Sequence, residues 1–113
     1  MFTLDKRNIL ESLTTAVLIT DKTFIIEYAN TAAEQLCGIS RSRLVNHCAT
    51  NLIDRSEETL LKTLQETDFY KDFQGFSAAG VLLSPLAGKS TKADITIFHY
   101  NHENFDGLLI EIH

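Results

Sequence analysis

Two histidines three positions apart, His99 and His102, and the neighbours His47 and Cys48 are the residues of this sequence whose types and spacing could do chemistry. A His-x-x-His pair holds a metal when both rings leave one face of a helix. These two instead close a β-rich run and enter a turn, and no carboxylate or cysteine completes a ligand set within the motif. For nucleophilic catalysis, Cys48 would need a positioned histidine and an orienting acid. His47 cannot serve, because adjacent residues on a helix or strand point apart. The five glycines are dispersed singly, so no phosphate-cradling loop is present either. Cys37 and Cys48 stand eleven apart in no redox or metal motif and read as ordinary thiols. Neither catalysis nor a metal is expected of this chain.

Positioning must therefore be the business of the sequence. A chain of 113 residues with 44% hydrophobic and 22% charged residues and one proline is an ordinary globular composition. At that size folding buries roughly two-thirds of the unfolded surface, enough for one core without staples. The formal charge of −5 disfavours a phosphate-backbone partner, and the Arg41/Arg43 cluster is too small to change that, so no nucleic acid is expected. No apolar run approaches the ~18 residues of a membrane span, and Asp5, Lys6, Arg7 and Glu11 occupy the place of a signal-peptide core. The expectation is a cytoplasmic location, with no membrane and no disulfide framework.

Residues Thr3 to Leu13 put Ile9, Leu10 and Leu13 on one helical face, so residues 1–14 are read as an N-terminal amphipathic helix. Ala16 to Thr20 and Phe24 to Tyr28 are β-rich runs around the polar Asp21-Lys22-Thr23, a hairpin. Asn30 has the chemistry of an N-cap, Ala33, Leu36 and Cys37 share the face of the helix it would start, and Gly38 can close that helix left-handed. Ser40 can cap a turn carrying Leu44 and Val45. Asp54 with Glu57 has capping-box spacing ahead of Leu60, Leu61 and Leu64. Strand signals return at Val81 to Leu83, Ala93 to Tyr100 and Leu108 to Ile112, separated by turns at Ala87 to Ser90 and Asn101 to Gly107. Pro85 argues that the first of these strands is at a sheet edge. Helix, two strands, short helices and three strands make an α+β domain: a five-stranded antiparallel sheet with helices on one face.

The stretch Ile26-Glu27-Tyr28-Ala29-Asn30-Thr31-Ala32-Ala33-Glu34-Gln35-Leu36-Cys37-Gly38-Ile39-Ser40, followed by Leu44, resembles the core signature of PAS domains. The resemblance implies sheet order 2-1-5-4-3 over residues 15–113, with the central helices packed around a core able to hold a small ligand. Tyr28, Asn30 and Gly38 carry it as structural and signalling positions. Asn30 has two readings, a helix N-cap or a polar bridge between the sheet and the ligand-side helices. With Ile9 to Leu13 ahead of the first strand and Gln74-Gly75-Phe76-Ser77 before the third, the chain is similar to the N-terminal sensor domains of NR(II) (NtrB) nitrogen-regulation histidine kinases.

That likeness implies a regulatory module of a two-component kinase and phosphatase whose catalytic domains would follow His113. It also implies a homodimer, a response regulator and a PII-type signal protein as partners of the parent. Partner packing of the helix would use Ile9, Leu10 and Leu13; packing on its own sheet is the alternative. A haem PAS domain would place an axial histidine on the helix before the third strand, and Ser56 to Phe69 has none. A light-sensing flavin PAS domain would show an Asn-Cys-Arg-Phe-Leu-like run, absent from Ile39 to Ile53. Neither cofactor is expected. Phe24, Phe69, Phe73, Phe76 and Phe98 are read as core aromatics that could line a cavity. Two other functions stay open: a metabolite receptor, and a PAS module of a transcription regulator or cyclic-nucleotide enzyme.

Overall fold

A strand covered on both faces has no place for a charged side chain, and Ala16–Thr20 (β1) carries none and is buried along its whole length. The structure, a computed structural model, describes residues 15–67 and 75–113. The expected helix of residues 1–14, with Ile9, Leu10 and Leu13, and the aromatics Phe69 and Phe73 lie outside the described residues. β1 is followed by Ile26–Ala29 (β2), the helices Thr31–Cys37 (α1) and Arg41–Leu44 (α2), a 3₁₀ helix at Ala49–Leu52, and Glu58–Glu66 (α3). Phe76–Leu83 (β3), Thr91–His102 (β4) and Phe105–Ile112 (β5) complete the chain. The sheet is antiparallel in order β2-β1-β5-β4-β3, as the resemblance implied.

One face carries the core. Leu18, Ile26, Ile95, Ile97, Leu108, Ile110 and Ile112 meet Ala33, Cys37, Leu44, Leu52 and Leu64 from the helical side in a single buried cluster. Leu64 is the buried residue of α3, with Leu60 and Leu61 partly covered against the same cluster. The alternation of β5 shows the pattern directly, since Leu108, Ile110 and Ile112 are buried while Leu109 and Glu111 are half-buried.

Several local expectations are corrected. Strand β2 begins at Ile26, because Phe24 sits at φ 69°, in the left-handed region, and belongs to the turn that Asp21 organises through hydrogen bonds from the Thr23 and Ile25 amides. The β4–β5 turn is far shorter than Asn101 to Gly107. His102 pairs with Phe105, which leaves only Glu103 and Asn104 to turn the chain. Strand β3 extends back to Phe76 through Ser77-Ala78-Ala79-Gly80, small residues with a weak strand signal. A bulge between Ala78 and Val81 breaks its register, and Asp94 Oδ1 accepts the Gly80 amide there at 3.0 Å. Neither capping guess after α1 survives. Ser40 makes no side-chain cap bond, and the Arg41 amide donates instead to Glu34 Oε2 at 2.6 Å. Asp54 and Glu57 form no capping box on α3: Glu57 accepts the Leu82 amide of β3, and Asp54 accepts the Ser84 hydroxyl with one oxygen and the Ser56 amide, ahead of the helix, with the other.

The β3–β4 loop closes the fold by packing on the end of α1. Gly38 ends that helix at φ 72°, and the Ala87 amide donates to the Cys37 carbonyl at 3.0 Å. Gly88 lies so close that a Cβ on it would stand 2.1 Å from the Leu36 carbonyl oxygen. Gly88→Ala should therefore force the loop off the helix and cost about 1–3 kcal/mol, as overpacking does. Chemical denaturation measures it, and an unchanged midpoint would show that the loop yields freely.

Candidate functional site

Asn30 stands where the main chain leaves the sheet to become α1, and it is fully buried. Its side-chain oxygen accepts from the Ala33 amide at 3.0 Å, the N-cap bond. The same oxygen accepts from the Val17 amide at 3.0 Å, and Nδ2 donates to the Thr15 carbonyl at 2.9 Å. The carboxamide thus continues the β1–β2 ladder past Ala29 while the backbone turns into the helix. The two readings of Asn30 describe one geometry, with the bridge running to the β1 backbone. Neighbouring Tyr28 is buried, pairs with Ile19, and carries the Arg41 guanidinium 5.0 Å from its ring centre.

Between the sheet and the helices lies an apolar cavity of about 20 Å³, room for roughly one water molecule. Phe24, Leu52, Leu64, Leu83 and Ile97 are among its walls, and Thr50 brings the one hydroxyl of the lining among the described residues. Of the expected aromatics, Phe24 lines this space and Phe76 packs partly buried against the core. Phe98 does not: it stands on the opposite face of the sheet, 41% exposed. Cys37 is buried, and that burial pushes its thiol up to about 11. Cys48 is half-buried, with Sγ 3.0 Å from Thr50 Oγ1.

Both edges of the sheet are met at one end by the chain between α2 and α3, which sequence reading missed because such pairing has no local signature. At the β2 edge the Ile26 amide donates to the His47 carbonyl at 2.8 Å, Asn46 N to Ile26 O at 2.9 Å, and Ala49 N to Phe24 O at 2.7 Å. At the β3 edge Asp54 N donates to Leu82 O at 3.0 Å and Ser84 N to Leu52 O at 2.8 Å. Two carboxylates reinforce that second seam. Glu57 Oε2 accepts from the Leu82 amide at 2.6 Å, and Asp54 accepts from the Ser84 hydroxyl. Hydrogen bonds from Ser84, and then from Ser56, hold the Asp54 carboxyl down at about 2.

His99 and His102 both lie within β4, on opposite faces by strand alternation. His99 Nε2 is 2.5 Å from Asp106 Oδ1, and His102 Nε2 is 3.7 Å from Glu103 Oε1. They do not converge. Among the described residues no group of three or more His, Cys, Asp or Glu side chains could hold a metal. His47 offers its carbonyl, not its ring, to the β2 edge.

A family model described as PAS fold matches residues 4–74. Among solved structures, the PAS domain of nitrogen regulation protein NR(II) from Vibrio parahaemolyticus superposes with a TM-score of 0.70 at 27% identity, covering 99% of this chain and 98% of that one. The PAS domain of a Colwellia psychrerythraea protein gives 0.79 at 14% identity, with 96% and 92% covered. A domain of a sensory box sensor histidine kinase/response regulator from Geobacter sulfurreducens gives 0.71 at 12% identity, with 95% and 90% covered. The last two are similar in fold alone. Comparison with curated proteins gives no match.

Two predictions come from these contacts. Asn30→Ala removes the cap, worth ~1 kcal/mol, and leaves the Val17 amide and Thr15 carbonyl without their partner, at about 1–3 kcal/mol for a buried group. The loss should reach roughly 3 kcal/mol by denaturant melts; a loss of only ~1 kcal/mol would mean the bridge to β1 contributes nothing. For Asp54, the depressed carboxyl means that the fold favours the charged form. Its contribution is complete above the ordinary carboxylate range and is lost as the pH falls through about 2. An NMR titration should place Asp54 there, and Ser84→Ala should move it upward.

Proposed function

The chain belongs to the PAS-fold family, and from that premise we propose that it is the regulatory module of a cytoplasmic two-component histidine kinase and phosphatase of the nitrogen response. It is a PAS sensor domain related to those of histidine kinases. The nitrogen assignment rests on the end-to-end likeness to the NR(II) PAS domain, 27% identical over 99% of this chain, together with the Tyr28 to Gly38 and Gln74 to Ser77 stretches. The kinase domains of the parent, a response regulator and a PII-type signal protein are the partners this reading brings. No helix among the described residues is long and apolar enough to cross a membrane.

The core supports a module that passes on conformational bias over a receptor for a polar metabolite. A metabolite site joins an apolar pocket of a few hundred Å³ to several convergent polar groups. Here the cavity is about 20 Å³, and among the described residues of its lining Thr50 alone offers a hydroxyl. Haem and flavin are likewise not part of the proposal, and the purified domain should be colourless. A visible absorption band travelling with the protein would overturn that part.

Signal transmission in this reading uses a homodimer joined through Ile9, Leu10 and Leu13. Burying each large aliphatic side chain contributes roughly 1.5–3 kcal/mol before association entropy is subtracted, and a two-fold axis uses the stripe twice. Leu10→Asp sets a carboxylate in that contact, opposed by desolvation and by its own copy across the axis. Sedimentation should show a dimeric parent and a folded, monomeric Leu10→Asp variant. A dimer that survives the substitution, or a parent that stays monomeric at high concentration, sinks the interface.

A further inference from the structure

The two edges of the sheet, β2 and β3, are sewn together by one short piece of chain. Four inter-strand spacings of ~4.8 Å would hold these edges about 19 Å apart in a flat sheet. The connection from Cys48, bridged to Ile25, to Ile53, bridged to Leu83, is wound largely as the 3₁₀ helix Ala49–Leu52. At ~2 Å per residue it spans about 10 Å. The sheet must curl toward its own helical side for the connection to reach. Ala49, Thr50, Leu52 and Ile53 of this crossing are walls of the core cavity.

The two ends of the crossing are fastened differently. At β3, main-chain bonds of Asp54 and Ser84 are joined by the Glu57 and Asp54 carboxylates, and the positive φ in that strand falls on a glycine, Gly80 at 63°, at the bulge. At β2 the main-chain bonds of Asn46, His47 and Ala49 stand beside a Cys48 Sγ contact of 3.9 Å to the Thr23 carbonyl. That end is flanked by two non-glycine residues in the left-handed region, Asn46 at φ 77° and Phe24 at φ 69°. Asn tolerates this conformation, whereas an aromatic residue is held there only by its surroundings. Phe24 is both the acceptor for the Ala49 amide and a wall of the cavity.

We propose that Asn46–Asp54 is a strap that closes the open side of the curled sheet and gates the apolar core, parting from β2 at its Asn46 end while staying pinned to β3. Release lets Phe24 leave its left-handed conformation, and it moves Ala49 and Thr50 off the cavity without breaking the sheet. The inner space then becomes accessible from the β2 side. Cys48 is carried on the moving end, whereas Cys37 stays in the core.

Native-state hydrogen exchange of the 113-residue chain tests this, because the two seams have their own amides. Corrected for intrinsic rates, Ile26 and Ala49 should exchange at least tenfold faster than Asp54, Leu82 and Ser84. Asn46→Ala, which worsens the left-handed residue, should speed the first pair about fivefold and leave the second group unchanged. Alkylation of Cys48 in the folded protein should accelerate by the same factor. Equal protection at both seams in the parent, or a β3 seam that opens first, overturns the strap; the parent comparison decides this even if the variant fails to fold.

Discussion

A strand that ends before its neighbour leaves main-chain groups in need of partners, and in this fold that need arises at the centre of the chain reversal. β2 stops at Ala29, opposite Leu18, while β1 continues back toward Thr15. Asn30 resolves the mismatch by substituting its carboxamide for the missing strand residue. Its oxygen meets the Val17 amide and its nitrogen meets the Thr15 carbonyl, while that oxygen also starts α1. The physical requirement is narrow. An aspartate lacks the donor, a glutamine is too long to cap and pair at once, and a serine has no rigid amide to mimic a peptide. Buried polar groups of this kind cost free energy unless fully satisfied, which makes the site a determinant of one particular packing.

From that junction the helical side is placed in sequence. α1 runs Ala33 and Cys37 into the core and ends at Gly38, against which the β3–β4 loop closes. Glu34 reaches forward to the start of α2, and Arg41 on α2 reaches back over Tyr28. The crossing chain then pairs with one end of each edge strand, at Phe24 and Ile26 beside β2 and at Leu82 and Ser84 beside β3, where main-chain groups would otherwise be open to other molecules. Edge protection and closure of the core are therefore one device, and any movement of the crossing alters both. The inner face is nearly filled, and the two non-glycine residues with positive φ beside the crossing, Phe24 and Asn46, both lie at its β2 end.

The outer face differs in character. Val17, Ile19 and Tyr28 are buried there, yet they stand apart from the inner cluster, while Phe98 on β4 is open to solvent. The register runs Tyr28, Ile19, Leu109, Phe98 across four strands, an apolar row that passes from covered to exposed.

The sequence by itself determined the order of the described elements from β1 onward, the α+β class, the N-cap and C-cap of α1, and the edge position of β3. These depend on residues within one helical turn or one strand, where apolar period, proline and capping chemistry act locally. The likeness around Tyr28, Asn30 and Gly38 carried the strand order as well. Only the tertiary structure decided what Asn30 bonds besides its helix, that Asp54 and Glu57 serve β3 instead of α3, and that Gly88 sits against the Leu36 carbonyl. Nor could sequence place Phe98 outside and Phe24 inside, since both are aromatic residues in β-rich runs. Each of these outcomes joins residues distant in the chain. A side chain's choice between a local cap and a remote edge is settled by which amide the folded sheet leaves unpaired, and that amide exists only after the strands have come together.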